Sequence, residues 1–120
     1  MEEKFDFENL VAWQKAVEFT NLILEKTDTF YKSNSNFRLR EQLDACSSSI
    51  PLNIAEGKGR FTKKEFKQFL YYSRGSLNET VTLLYLLQKR SLLSLEDYVL
   101  LKNKAIELSK ILNGLINSLK

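Results

Sequence analysis

The chain has 120 residues, a formal net charge of +3, one cysteine, one proline, four glycines and no histidine. That length suits a single domain with its own core, and so little glycine and proline excludes a turn-rich β-sandwich or barrel. The lack of histidine removes the commonest general base and metal ligand, Cys46 has no partner for an internal disulfide, and no apolar run approaches the ~20 residues of a membrane span.

One domain over residues 1–120 is therefore expected, non-enzymatic, with no cofactor, no metal and no membrane partner. With no signal-peptide pattern at Met1-Glu2-Glu3-Lys4, the expected location is cytoplasmic. Charge is unevenly spread: residues 1–31 carry seven acids and three bases (net −4), whereas residues 61–90 carry six bases and two acids (net +4). Such asymmetry suits docking of subunits or an anionic partner.

A first helix is predicted over about 7–31, opening at Asp6, with Phe5 and Leu10 as a hydrophobic staple. Leu10, Trp13, Val17, Leu24 and Tyr31 form one apolar stripe; Ala12, Ala16, Phe19, Ile23 and Phe30 form another beside it. Two stripes exceed what one core contact requires and predict a buried partner surface.

After the polar connection from Tyr31 to Asn36, a second helix is predicted over 37–56, ending at Gly57 as a left-handed cap. Pro51 lies near its middle, where it removes a donor and crowds the carbonyl of Ser47. A kink is expected there, with the hydroxyls of Ser47, Ser48 and Ser49 bonding the disturbed carbonyls.

The third helix is predicted over 63–90. Thr62 and Glu65 form its capping box, and Phe61 and Phe66 its staple. Phe66, Leu70, Ser73, Leu77, Thr80, Leu84 and Leu87 make its core stripe. Gly75 predicts close approach of another helix at the small residues Ala45 to Ser49.

The fourth helix, over 95–119, starts with Ser94 as cap, Asp97 three residues on, and Leu93 and Tyr98 as staple. Tyr98, Leu101, Ala105, Leu108, Leu112, Leu115 and Leu119 alternate steps of three and four along about 33 Å of helix. Short connections make consecutive helices antiparallel. The expected fold is all-α, an up-down-up-down four-helix bundle.

The chief candidate for function is the segment from Lys58 to Lys67, in which Lys58, Arg60, Lys63, Lys64 and Lys67 face one acid, Glu65. These five bases surround a helix N-terminus, where backbone donors also favour an anion, and phosphate backbones reward summed charge. The plainer alternative is a solvated turn whose phenylalanines staple the helix. No base-reading set accompanies the bases, so nucleic-acid binding there would be weakly sequence-specific.

Asn53, Glu56, Arg60, Arg74 and Glu79 suggest paired carboxylates, or simply polar groups that satisfy the backbone near Pro51 and one another. Cys46 has no histidine to activate it and reads as a small packing residue near Gly75. Gly57-x-Gly59 is too short for a phosphate loop. Tyr71-Tyr72 could stack bases, but one member is expected to face inward, which favours packing.

Residues across the chain resemble a known family. Phe7-Glu8-Asn9-Leu10 and Ala12-Trp13-Gln14-Lys15-Ala16 are similar to its opening pattern, and Leu39 and Gln42 follow. The segment from Ser49 through Pro51, Asn53 and Ala55 to Gly57 is close to its "SIPxNIAEG" signature. Arg60, Lys64-Glu65-Phe66, Phe69-Leu70, Gly75-Ser76-Leu77, Glu79 and Leu112-Asn113-Gly114-Leu115-Ile116 fall at matching spacing. The family is that of the bacterial four-helix proteins encoded by intervening sequences in 23S ribosomal RNA genes.

One departure is that Asp44 and Ala45 stand where the family commonly has two arginines. The resemblance implies a homopentameric ring without assigned activity. A similar fold serves as the accessory protein of diversity-generating retroelements, a basic pentamer that binds a reverse transcriptase and nucleic acid, although fold alone does not transfer function. The expected function is a non-catalytic, homo-oligomeric scaffold that binds RNA, DNA or a protein partner through its charged surface. The alternative is a structural product of the intervening sequence with no specific ligand.

Overall fold

The computed structural model describes residues 2–28 and 37–120. Its helices are α1 (Val11–Lys26), α2 (Phe37–Lys58), α3 (Lys63–Lys89) and α4 (Leu95–Ser118), preceded by a short 3₁₀ turn at Asp6–Asn9. Each helix packs on its chain neighbours, and α4 closes back on α1.

The inter-helix partners fix the direction of every pair. Thr20 meets Ser47 and Thr27 meets Arg40 across α1–α2, while Ile50 meets Ser73 and Cys46 meets Thr80 across α2–α3. Arg74 meets Asn113 and Tyr85 meets Tyr98 across α3–α4. Lys15 pairs with Glu107 and Lys26 with Asp97 across α1–α4. In each pair the numbers rise on one helix as they fall on the other. The fold is an antiparallel four-helix bundle.

All seven residues of the α3 stripe are buried, as are Leu43, Ile50 and Ile54 from α2 and Leu101, Leu108 and Leu112 from α4. The α4 seam departs from strict heptads at its end, where Ile116 is buried and Leu115 and Leu119 only half so. A straight helix drifts about 20° per heptad from a 3.5-residue repeat, which carries the core position one residue on. Among the described residues no helix is long and apolar enough to cross a membrane.

The beginning of the first helix differs from expectation. The Glu8 carboxylate accepts from the Phe5 N–H at 2.8 Å, closing the 3₁₀ turn, and Leu10 is extended (φ −76°, ψ 125°), so α1 starts at Val11. Phe5 is exposed and stacks on Phe7, so it makes no staple with Leu10. The second stripe, Ala12, Ala16, Phe19 and Ile23, faces the core, whereas Trp13 is half-buried against Phe7. α1 ends at Lys26; Phe30, Tyr31 and the polar connection lie outside the described residues.

α2 runs unbroken through Pro51. The Ser47 carbonyl, deprived of its helical donor, instead accepts from the Thr20 hydroxyl of α1 at 2.9 Å. Of the three serines, Ser47 donates to Asp44 and Ser49 pairs with the Ser76 hydroxyl, so neither fills the expected role. Asn53 donates to the Ser49 carbonyl and hydroxyl, both at 2.9 Å.

Two glycines differ from expectation. Gly57 is not a left-handed cap: its φ is not positive, and α2 continues to Lys58. A methyl group there would lie 2.7 Å from Phe69 Cβ and 2.9 Å from Phe66 Cδ1, so the close helix approach occurs at Gly57. Gly75, where that approach was expected, would present a methyl group to open space.

Arg40 is buried, with 2% of its surface exposed, and its guanidinium bonds the Thr27 carbonyl just past the end of α1 and the Asp44 carboxylate. A cation is favourable at a helix C-terminus, where carbonyls lack partners. Asp44 completes this contact at 2.9 Å.

Candidate nucleic-acid interface

The α2–α3 hairpin turns over four residues, Gly59 to Thr62, and this short link places the ends of both helices at one end of the bundle. Thr62 has extended backbone and its Oγ1 accepts the Glu65 N–H at 3.1 Å. Its hydroxyl also donates to Glu65 Oε1 at 3.0 Å, locking the first turn. Lys58 is the last residue of α2, Lys63 and Lys64 are the first two of α3, and Lys67 lies one turn on. Lys58, Lys63 and Lys64 are exposed, and Lys67 is half-buried.

Arg60 behaves differently. Its Nη2 lies 2.6 Å from Glu56 Oε1, and its guanidinium covers the Phe69 ring at 4.6 Å. That cation is partly engaged within the protein, though its side chain stays 41% exposed, and it adjoins the four lysines of this end. Lys58 Nζ sits 5.8 Å from the centroid of the Phe66 ring, close enough for a cation–π contact without losing its outward position.

The predicted Phe61–Phe66 staple is absent. Phe66 is buried beneath Lys58 and beside Gly57, while Phe61 is as exposed as in an extended chain (102%).

The other polar candidates are parcelled out. Asn53 serves Ser49, Glu56 serves Arg60, and Arg74 donates to Asn113 Oδ1 at 3.0 Å while covering Tyr71. Glu79 is exposed on α3. Among the described residues no cluster of histidine, cysteine and carboxylate side chains suits a metal.

Cys46 is buried. It accepts from the Thr80 hydroxyl at 3.2 Å, not beside Gly75, and burial pushes its thiol pKa up from 9.0. A thiol held protonated is a poor nucleophile. Tyr71 and Tyr72 are both outward-facing, contrary to the expectation that one turns in; Arg74 covers the first and the second meets Phe69 edge-on.

Two features escape a sequence reading. Thr20 carries no local sign of a bond to another helix. The α3–α4 groove is lined by Asn78, Val81, Lys102 and the exposed Ile106. Its members are polar or apolar singly, and only the packing of α3 on α4 assembles them. On α1 and α4, Lys15 lies between Glu18 and Glu107, which raise its pKa in that order.

A family model described as "23S rRNA-intervening sequence protein" matches residues 8–114, from the 3₁₀ turn into the last turns of α4. The chain belongs to that family. In this member of the 23S rRNA-intervening sequence proteins Asp44 binds the buried Arg40. Among solved structures, the chain is similar to a Bacteroides thetaiotaomicron protein of unknown function from the S23 ribosomal protein family. That structure is 25% identical, with a TM-score of 0.82, and the alignment covers 88% of this chain and 98% of that one. No curated protein matches significantly.

Proposed function

We propose that this intervening-sequence protein is a non-catalytic subunit of a homo-oligomeric ring, five-membered as the family resemblance suggests, that holds RNA or DNA at its α2–α3 end. The observation that carries it is the gathering of Lys58, Lys63, Lys64 and Lys67 around one four-residue turn. Repetition of that turn around a closed ring multiplies the charge offered to a phosphate backbone. Self-association is supported by the α3–α4 groove, which Ile106 lines while still exposed, and by the exposed Tyr85 of α3 and Val99 of α4. On α1 the stripe of Ala12, Ala16, Phe19 and Ile23 is used inside the bundle, whereas Leu10, Trp13 and Leu24 are half-buried and Val17 is exposed. A free, buried Cys46 suits a reducing compartment, and the cytoplasm is the proposed place of action.

Light scattering coupled to size exclusion tests the ring: the expected mass is a multiple of the 14.0 kDa chain mass, and a monomer at micromolar concentration refutes it. Oligonucleotide binding tests the charged end. Wild-type affinity should fall steeply with salt, and reversal of Lys63, Lys64 and Lys67 to glutamate should weaken it about tenfold or more while circular dichroism stays unchanged. A wild type that binds no nucleic acid at low ionic strength removes this arm and leaves a scaffold for a protein partner or one without a ligand.

A further inference from the structure

We infer that Phe61 is a stacking platform for an unpaired base, which makes the ligand of the α2–α3 end single-stranded rather than duplex nucleic acid; the inference rests on the reading of that end given above.

The hairpin brings three phenylalanines to this end, and two are already covered. Phe66 has Lys58 over its ring and Gly57 against its edge. Phe69 has Arg60 over its ring at 4.6 Å and the Tyr72 ring edge-on at 5.5 Å. Phe61 is left in water, at 102% relative exposure, although it occupies the position from which a staple would fold it onto α3. The surface that would receive it is occupied by the close packing of Gly57 on Phe66 and Phe69.

An exposed phenylalanine costs hydrophobic free energy unless something covers it, and its immediate surroundings decide what fits. Arg60 and Thr62 flank it, the first with its guanidinium turned over the Phe69 ring and the second with only a hydroxyl, and Lys63 and Lys64 follow at once. Neither supplies the contiguous apolar surround of a protein hot spot. What the site offers is one open π face among cations. A single strand presents both complementary parts, a flat base and a phosphate on each side of it, whereas a duplex keeps its base faces stacked away. Phenylalanine has no hydrogen-bonding group, so stacking on it tolerates any base, in keeping with the absence of a base-reading set.

The test compares full-length wild type with Phe61→Ala, Phe61→Trp, Phe37→Ala and the pair Lys63→Glu/Lys64→Glu. Fluorescence anisotropy would follow labelled RNA and DNA strands of about a dozen nucleotides, and the same sequences as duplexes. Phe61→Ala should weaken single-strand binding about tenfold and leave duplex binding within about twofold. Phe61→Trp should retain binding and show quenched tryptophan emission on addition of strand, against a steady signal in wild type, where Trp13 is half-buried against Phe7. Phe37→Ala removes a half-exposed phenylalanine from the opposite end of α2 and should change nothing.

Unchanged single-strand affinity in Phe61→Ala overturns the inference. So does an equal loss on strand and duplex, or a changed oligomer mass at unchanged affinity, which would make Phe61 a subunit contact. If the lysine pair abolishes binding while Phe61→Ala does not, stacking alone falls. If wild type binds neither form, the charged end is not a nucleic-acid interface and both fall together.

Discussion

Thr20→Val removes one hydroxyl from the α1–α2 seam and keeps the β-branched shape of the side chain. That hydroxyl donates to the Ser47 carbonyl at 2.9 Å, and Pro51 is the reason the carbonyl needs it, because proline has no N–H to return four residues along the helix. Ser47 is fully buried and Thr20 is 8% exposed, so water does not replace the donor. A buried acceptor stranded in this way costs about 1–3 kcal/mol. In a Pro51→Ala background, residue 51 regains its N–H and can bond Ser47 itself. Thr20→Val should then cost under about 1 kcal/mol, the net worth of one ordinary hydrogen bond. The expected coupling is about 1 kcal/mol or more, beyond the roughly 0.3–0.5 kcal/mol scatter of independent sites. Urea denaturation of the four proteins, followed by far-UV circular dichroism at one fixed protein concentration, measures it; fixing the concentration keeps any self-association constant. Equal costs of Thr20→Val in both backgrounds would refute the assignment of Thr20 as the donor that Pro51 requires.

The two glycines give a prediction of opposite signs for one substitution. Gly57→Ala places a methyl group 2.7 Å from Phe69 Cβ and 3.2 Å from the Phe66 carbonyl. Relieving that overlap should cost about 1–3 kcal/mol, more than the ~1 kcal/mol that alanine gains over glycine in a helix. Gly75→Ala meets nothing within 4 Å and should stabilise by up to about 1 kcal/mol; a raised denaturation midpoint for Gly57→Ala contradicts the first assignment, and a lowered one for Gly75→Ala the second. For Cys46, burial raises the folded pKa above the ordinary 9.0, so the folded protein keeps a proton that the unfolded chain gives up. The contribution is present in full below pH 9.0 and declines as pH rises from there through the folded pKa. The stability difference between wild type and Cys46→Ala should be flat below that range and fall above it; a flat difference throughout would show that the thiol ionises freely.

The signals that were legible in the sequence act over three or four residues. Thr62 and Ser94 cap α3 and α4 as read, accepting from Glu65 and Asp97, because a cap depends on its own first turn. The α3 stripe is equally local, set by helical period alone. Glycine is different: a cap and a close helix approach both call for a residue without Cβ, and nothing local distinguishes them. The close approach expected at Gly75 therefore falls at Gly57, and neither glycine is a left-handed cap. Thr20 and Arg40 were missed for a related reason. Their partners, Ser47 and Thr27, lie on other helices, and only the register of the bundle brings them together.

The same division runs through the charged end. A run of bases at a short turn is visible in any reading of the chain, and a four-residue connection keeps Lys58 and Lys63 at one end whatever the packing. Which cations remain open is a tertiary matter, decided by the tight contact at Gly57. Because Gly57 has no side chain, Phe66 and Phe69 can lie directly against α2. Their rings are then within reach of the residues that end α2, and Lys58 and Arg60 fold over them. Arg60 also meets Glu56, which offsets part of its charge, while Phe61 finds its staple position filled and stays in solvent. The close approach at Gly57 thus shapes the surface next to it, leaving four lysines, a partly paired arginine and one bare aromatic ring. Gly57→Ala should therefore do more than destabilise: by pushing α3 away from α2 it should loosen the Arg60–Phe69 contact and alter oligonucleotide affinity at a site it does not touch.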